Sequence, residues 1–209
     1  MFFRSKTKMN RWRNNMPQSN LMRQQVLTTH GINDLHIWEL VNQFTHLQRP
    51  KVFIYHAMSP EDTALAYLLQ ASLEAVHLSV VTRKEVAVDQ AWTRDEINEA
   101  GVYFLLCSGN LFEEDAELCA FTEIAFRNLR AHDEKRIFPL ALDHSVKVDN
   151  DSTEPQADHL VVDKLANITK ANFTKWKVRN EFLTGLFQIF RAFSTDTQKA
   201  YRPNLPKGE

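Results

Sequence analysis

An open, parallel α/β sheet with helices on both faces, preceded by a helical extension, is the fold class this sequence predicts. Three observations predict it. Short β-branched and aromatic runs recur at Lys51–Tyr55, His77–Thr82, Val102–Cys107 and Ile137–Leu142. They are continuous rather than alternating, as strands buried on both faces are. The stretches between them carry apolar residues at helical spacing, and strand alternating with helix at this interval implies right-handed crossovers and a parallel sheet.

The elements follow in order. Before its first acidic residue, Asp34, the chain carries Arg4, Lys6, Lys8, Arg11, Arg13 and Arg23 among Asn, Gln and Ser. Residues 1–30 therefore read as a flexible basic arm. Such an arm either contacts nucleic acid, a membrane surface or a partner, or is a solvated tail upstream of a start at Met9, Met16 or Met22. From 31 to 48 the pattern turns helical, with Ile37, Leu40, Val41, Phe44 and Leu47 on one face and Asn33 or Asp34 as the N-cap. One sheet domain then spans 51–193.

Its first strand, Lys51–Tyr55, leads through His56 to Ser59-Pro60-Glu61-Asp62. That run combines an N-cap serine, a proline at the first helical position and two acids in the first turn. The helix it opens buries Leu65, Leu68, Leu69 and Leu73 and ends near Ala75. A second strand, His77–Thr82, is followed by a polar connection from Arg83 to Trp92, and a short helix from Thr93 to Ala100 is stopped by Gly101. Val102–Cys107 is the most apolar run and the expected central strand.

Beyond Ser108-Gly109-Asn110 a long helix from Glu113 to Arg130 turns Leu118, Phe121, Ala125 and Leu129 inward. In the strand Ile137–Leu142, Pro139 suggests a sheet edge or a strand end. Residues 146–159 read as an exposed loop. A last helix from Lys175 to Phe193 carries Val178, Phe182, Leu183, Leu186, Phe187, Phe190 and Phe193, an aromatic stripe expected in the core. Residues 194–209, with Pro203 and Pro206, read as a disordered tail.

Composition narrows the function classes. A net charge of −1 gives no global case for nucleic acid beyond the arm. No apolar run reaches the roughly 18 residues of a membrane span, so a cytoplasmic protein is expected. Two cysteines, Cys107 and Cys119, make no disulfide framework, and scattered histidines without a CxxC or HxxxH pair argue against a metal site.

In open parallel sheets the ligand crevice lies beyond the carboxyl ends of the strands. Three segments converge there: Tyr55-His56-Ala57, Arg83 to Trp92, and Ser108-Gly109-Asn110 with the helix behind it. The residues in these segments resemble a known family. Val52-Phe53-Ile54-Tyr55-His56-Ala57 with Pro60-Glu61-Asp62 is similar to the first strand and loop of bacterial Toll/interleukin-1 receptor (TIR) domains, which often read V-F-I-S-H-A-S-x-E-D. Asp89-Gln90-Ala91-Trp92 resembles the end of the family's BB loop. Leu105-Leu106-Cys107-Ser108-Gly109-Asn110-Leu111-Phe112 is similar to its third strand and S-P-N-Y-L continuation, and Leu118 to Ala125 resembles its W-C-x-x-E-L helix. The match covers about 90 residues in the right order.

The resemblance implies a flavodoxin-like fold and a chemistry. In enzymatic members a helix glutamate cleaves the nicotinamide–ribosyl bond of NAD+; by position that residue is Glu123. A carboxylate beside the ribose stabilises the oxocarbenium-like state and orients the hydroxyls, with NAD+ as substrate and no cofactor or metal. On a helical wheel Glu123 falls beside Cys119 and Phe126, at a cleft edge where partial burial is expected. Glu113, Glu114 and Glu117 read as ordinary solvated carboxylates. Tyr55, His56, Trp92 and Ser108 stand where members carry substrate-adjacent groups, and each has a plain structural reading as strand-end aromatic, hydrogen-bonded histidine, packing residue and turn serine. Cys119 stands where the family often has a tryptophan that stacks on nicotinamide. The chain also departs from the pattern at Val88 and Gly109, where glycine and proline are common.

Three functions follow as expectations. The first is a NAD+ nucleosidase of cellular defence or a toxin, switched on by homotypic TIR–TIR assembly. The second is a catalytically silent module that recruits another TIR protein. The third is a nucleoside deoxyribosyltransferase-like enzyme, for which acids near the first crossover are needed and the Asp62 region is a poor fit.

Overall fold

The computed structural model describes residues 50–75, 78–83, 91–113, 115–146, 160–165, 168 and 170–193. The basic arm, the helix expected at 31–48, residues 147–159 of the loop expected at 146–159 and the tail lie outside the described residues, as do Val88, Asp89 and Gln90 of the second crossover. Val146, placed in that exposed loop from sequence, is buried against the core.

Five strands form one sheet in the order β2-β1-β3-β4-β5, every neighbouring pair parallel. They are β1 (Val52–Tyr55), β2 (Val80–Thr82), β3 (Val102–Cys107), β4 (Arg136–Ala141) and β5 (Ala171–Asn172). The helices are α1 (Pro60–Ala75), α2 (Ala91–Glu99), α3 (Gly109–Glu113), α4 (Asp115–Ala131), α5 (Leu160–Leu165) and α6 (Arg179–Phe193). This is the flavodoxin-like strand order, with its crevice at the carboxyl ends of β1 and β3.

Alternation along each strand divides the core in two. Val52, Ile54, Val102, Phe104, Leu106, Phe138 and Leu140 face one side, where α1 and α6 cover them with Leu65, Leu68, Leu69, Phe182, Leu186 and Phe190. Phe53, Tyr55, Tyr103, Leu105, Cys107, Ile137 and Ala141 face the other, against Ile97 of α2, Leu118, Phe121, Ala125 and Leu129 of α4, and Val161, Val162 and Leu165 of α5. Each large side chain so buried contributes about 1.5–3 kcal/mol relative to exposure.

Several expectations change in detail. Pro139 suggested a sheet edge or a strand end, yet it lies inside β4, the fourth of five strands. The reason lies in its register. Arg136 donates its N–H to Gly101, just before β3, at 3.0 Å, and Leu142 donates to Cys107 of β3 at 2.9 Å, so the odd-numbered nitrogens of β4 turn toward β5. That strand begins pairing only at Leu140, and the missing donor of Pro139 falls where no ladder bond is needed.

Gly101 was expected to stop a helix, and α2 ends two residues before it at Glu99. It also allows a close approach: a Cβ there would come within 2.8 Å of the Pro50 Cβ. The long helix expected from Glu113 to Arg130 is α4, and the short α3 before it was not anticipated. The last helix begins at Arg179 rather than Lys175, and Val178, placed in its core stripe from sequence, precedes the helix and is 54 % exposed. Neither α5 nor β5 was anticipated.

Candidate functional site

Helix α1 begins where the pattern Ser59-Pro60-Glu61-Asp62 requires. The Ser59 hydroxyl accepts the Asp62 N–H at 3.1 Å, and the Ser59 carbonyl accepts the Thr63 N–H at 3.0 Å. This cap holds Asp62 in the first turn, at the carboxyl end of β1. Asp62 is buried, and its carboxylate accepts a hydrogen bond of 2.5 Å from the Ser108 hydroxyl, which follows β3. Burial pushes the Asp62 carboxyl above the usual carboxylate range; the hydrogen bonds from Ser108 and Ser59 offset this only in part.

Ser108 has a second duty. Its hydroxyl oxygen accepts the Leu111 N–H at 3.2 Å, so it caps α3 while donating to Asp62. Its one proton is thereby committed to Asp62, and the turn-serine reading describes its place in the fold. On the far side Asp143, after β4, accepts the Gly109 N–H at 2.7 Å and the Ser145 N–H at 2.8 Å. Its charge adds to the upward push on Asp62.

His56 follows β1 directly and is buried. Its Nδ1 lies 2.6 Å from the Ala57 carbonyl, and its Nε2, also buried, has no hydrogen-bond partner among the described residues. Desolvation lowers the imidazole's pKa, and the nearby Arg83 charge lowers it further against the opposing pull of Asp62. The ring is therefore held neutral.

Tyr55 lies fully inside the core. Its ring stacks on Phe121 at 4.2 Å between centroids and carries the Arg83 guanidinium at 4.8 Å. Arg83 also donates from Nη1 to the His56 carbonyl at 2.9 Å and from Nη2 to Glu117 on α4. Tyr55 thus supports a cation and offers no open face of its own to a ligand. Glu117, expected to be an ordinary solvated carboxylate, is instead the acid of α4 that reaches this group.

Glu123 lies elsewhere on the same helix. It stands eight residues after Asp115, about 12 Å down the axis at 1.5 Å per residue. It is exposed, where partial burial at the cleft edge was expected. The helical wheel fixes the azimuth of a residue but not its height, and height separates Glu123 from the carboxyl edge of the sheet. Cys119, one turn earlier, is half-buried, and its carbonyl accepts the Thr122 hydroxyl at 3.1 Å. Cys107 is the more buried thiol, pushed up to about 12 by desolvation. Trp92 falls in the first turn of α2, and its side chain is outside the described residues.

The structure therefore brings together Tyr55, His56 and Ser108, and adds Asp62, Arg83 and Glu117, which were not picked as site residues from sequence. A signal existed for each. Asp62 sits in a helix-opening motif directly beyond a strand, Arg83 is the first charged residue after β2, and Glu117 is in the first turn of the helix that follows β3. Among the described residues no three His, Cys, Asp or Glu side chains gather as a metal would need, and no helix is long and apolar enough to cross a membrane. No protein-family model matches the chain, and no curated protein matches it either.

Proposed function

We propose that this chain is a TIR-type NAD+ nucleosidase that cleaves the nicotinamide–ribosyl bond and works as an assembly of copies of itself. One observation carries the reading furthest. At the carboxyl ends of β1 and β3, where open parallel sheets bind ligands, the chain buries a carboxyl, an imidazole and a hydroxyl, Asp62, His56 and Ser108, within one connected group. The run of motifs from Val52 to Ala125 supplies the family and the bond broken.

In this reading Glu123 faces solvent in the single chain, and a second copy packed over α4 desolvates it and completes a water-excluding site. Assembly is then the switch, and defence or toxicity the setting. A neutral His56 adds no positive charge to oppose the one that develops on the ribose as nicotinamide departs.

A second reading is favoured by one specific finding. Nucleoside deoxyribosyltransferase-like enzymes need acids at the first crossover, and Asp62 is an acid buried there. The two readings differ in which carboxylate acts, Glu123 or Asp62. Nicotinamide release from NAD+ at high protein concentration with a crowding agent, measured for the wild type, Glu123→Ala and Asp62→Asn, separates them. Release by the wild type that disappears in Glu123→Ala supports the TIR-type mechanism. Release of a base from deoxynucleosides, lost in Asp62→Asn and retained in Glu123→Ala, supports the second. No turnover of either substrate by the folded wild type leaves the silent recruiting module.

A further inference from the structure

At the carboxyl end of β2 the chain buries a guanidinium and closes it with a carboxylate that water can reach. The Arg83 side chain is 6 % exposed, that of Glu117 41 %. On the core side the guanidinium meets the Tyr55 ring at 4.8 Å, itself stacked on Phe121, and the His56 carbonyl at 2.9 Å. On the solvent side its Nη2 meets Glu117 in the first turn of the 17-residue α4. A guanidinium whose plane is set before anything binds loses little freedom on engaging a phosphate, and the opening turn of a long helix favours negative charge. Beside it lies His56, 1 % exposed, whose Nε2 has no hydrogen-bond partner among the described residues. A buried ring nitrogen of that kind is costly until a ligand or water meets it.

We propose that Arg83 and Glu117 form a self-occupied anion site, in which the Glu117 carboxylate stands where a ligand's phosphate binds and is displaced by it. Glu117 is suited to leave. It is half-exposed, so water takes over its solvation, while Arg83 stays fixed by Tyr55 and the His56 carbonyl. Phosphoryl oxygens bring more charge and more acceptors to the guanidinium than one carboxylate does. For the identity of the ligand, the diphosphate of NAD+, the proposal rests on the function proposed above; the anion site itself does not depend on bond cleavage.

The test is a calorimetric titration of the full chain with inorganic pyrophosphate. Glu117→Gln keeps the side chain's shape and removes the competing charge, and it should bind pyrophosphate about fivefold more tightly than the wild type. Arg83→Lys keeps the charge and loses the fork, and should bind more weakly than the wild type. Unchanged or weaker binding by Glu117→Gln overturns the proposal, as does undiminished binding by folded Arg83→Lys. Should Arg83→Lys fail to fold, Glu117→Gln decides alone. Succinate that competes as well as pyrophosphate also overturns it, because the site would then not be one for phosphate. Nicotinamide release is followed on the same samples. Tighter pyrophosphate binding by Glu117→Gln without any release by the wild type keeps the anion site and removes NAD+ as its ligand, whereas release with no response of Glu117→Gln to pyrophosphate does the reverse.

Discussion

Both ends of the sheet bury polar side chains, and the two ends treat them differently. At the amino end the Tyr103 hydroxyl donates to the Ile97 carbonyl at 2.9 Å and accepts from the Asn128 amide at 3.0 Å. That amide also donates to the Asn98 side chain at 3.1 Å, and the Lys135 ammonium donates to the Asn98 carbonyl. Burial pushes the Tyr103 hydroxyl up to about 12 and the Lys135 ammonium down, and both groups are hydrogen-bonded within the chain. At the carboxyl end Asp62 keeps a buried carboxyl against the cost of desolvation, and His56 buries a ring nitrogen with no partner among the described residues. A closed network fastens α2, α4 and β3 together. A carboxyl with a raised pKa and an unpartnered ring nitrogen at the end of the sheet where ligands bind single out that end.

The largest expected difference between the two ends is in activity. Asp62→Asn should lower catalysis by about 100-fold or more if Asp62 serves as an acid or base, while leaving the thermal midpoint unchanged or higher. The stability half of that expectation has a definite sign. Burial disfavours the charged form of Asp62 in the folded chain, so a neutral side chain of the same shape removes a cost. A steep fall in thermal midpoint would show Asp62 to be a structural cap and nothing more.

A smaller effect is expected at the amino end, and of the opposite kind. Asn128→Ala leaves the Tyr103 hydroxyl and the Asn98 side chain each short of a partner and should cost about 1–3 kcal/mol in urea unfolding. Turnover per folded molecule should not change. Loss of turnover would mean that the two ends are coupled through α4.

The smallest effect is in pH dependence. His56 has a folded pKa below its ordinary value of 6.5, chiefly from desolvation. The stability of the neutral, buried ring is therefore fully present above 6.5 and is lost as pH falls through that value toward the folded pKa. Asp62 works in the other sense: its folded pKa lies above 3.8, so its contribution is present below 3.8 and is lost as pH rises through the folded value. Unfolding free energies measured from about pH 7 down to about pH 5 should fall less steeply for His56→Phe than for the wild type. Parallel curves would show that His56 is hydrated in solution.

How much was legible varies by kind of residue. The four long strands and the inward stripes of α1 and α4 follow from local patterns, since period and apolarity are properties of consecutive residues. Leu65, Leu68, Leu69, Leu118, Phe121, Ala125 and Leu129 are all fully buried as their spacing implies. The short β5 was not legible, because two residues carry no period. Of the candidate site, Tyr55, His56 and Ser108 were singled out by their position at the carboxyl ends of strands and by the family resemblance. Arg83 and Glu117 were missed, because neither departs from an ordinary charged surface residue until the fold lays β2 beside β1 and the start of α4 against both.

The sequence by itself determined an open parallel sheet, the cap that opens α1 and the two faces of the core, each from interactions within a few residues. Only the tertiary structure decided which acid of α4 meets the buried cation, why Gly101 must be glycine, and how Pro139 is tolerated inside a five-stranded sheet. Each of these depends on the distance between segments far apart in the chain. Such distances are set by packing two cores at once, which no local period encodes.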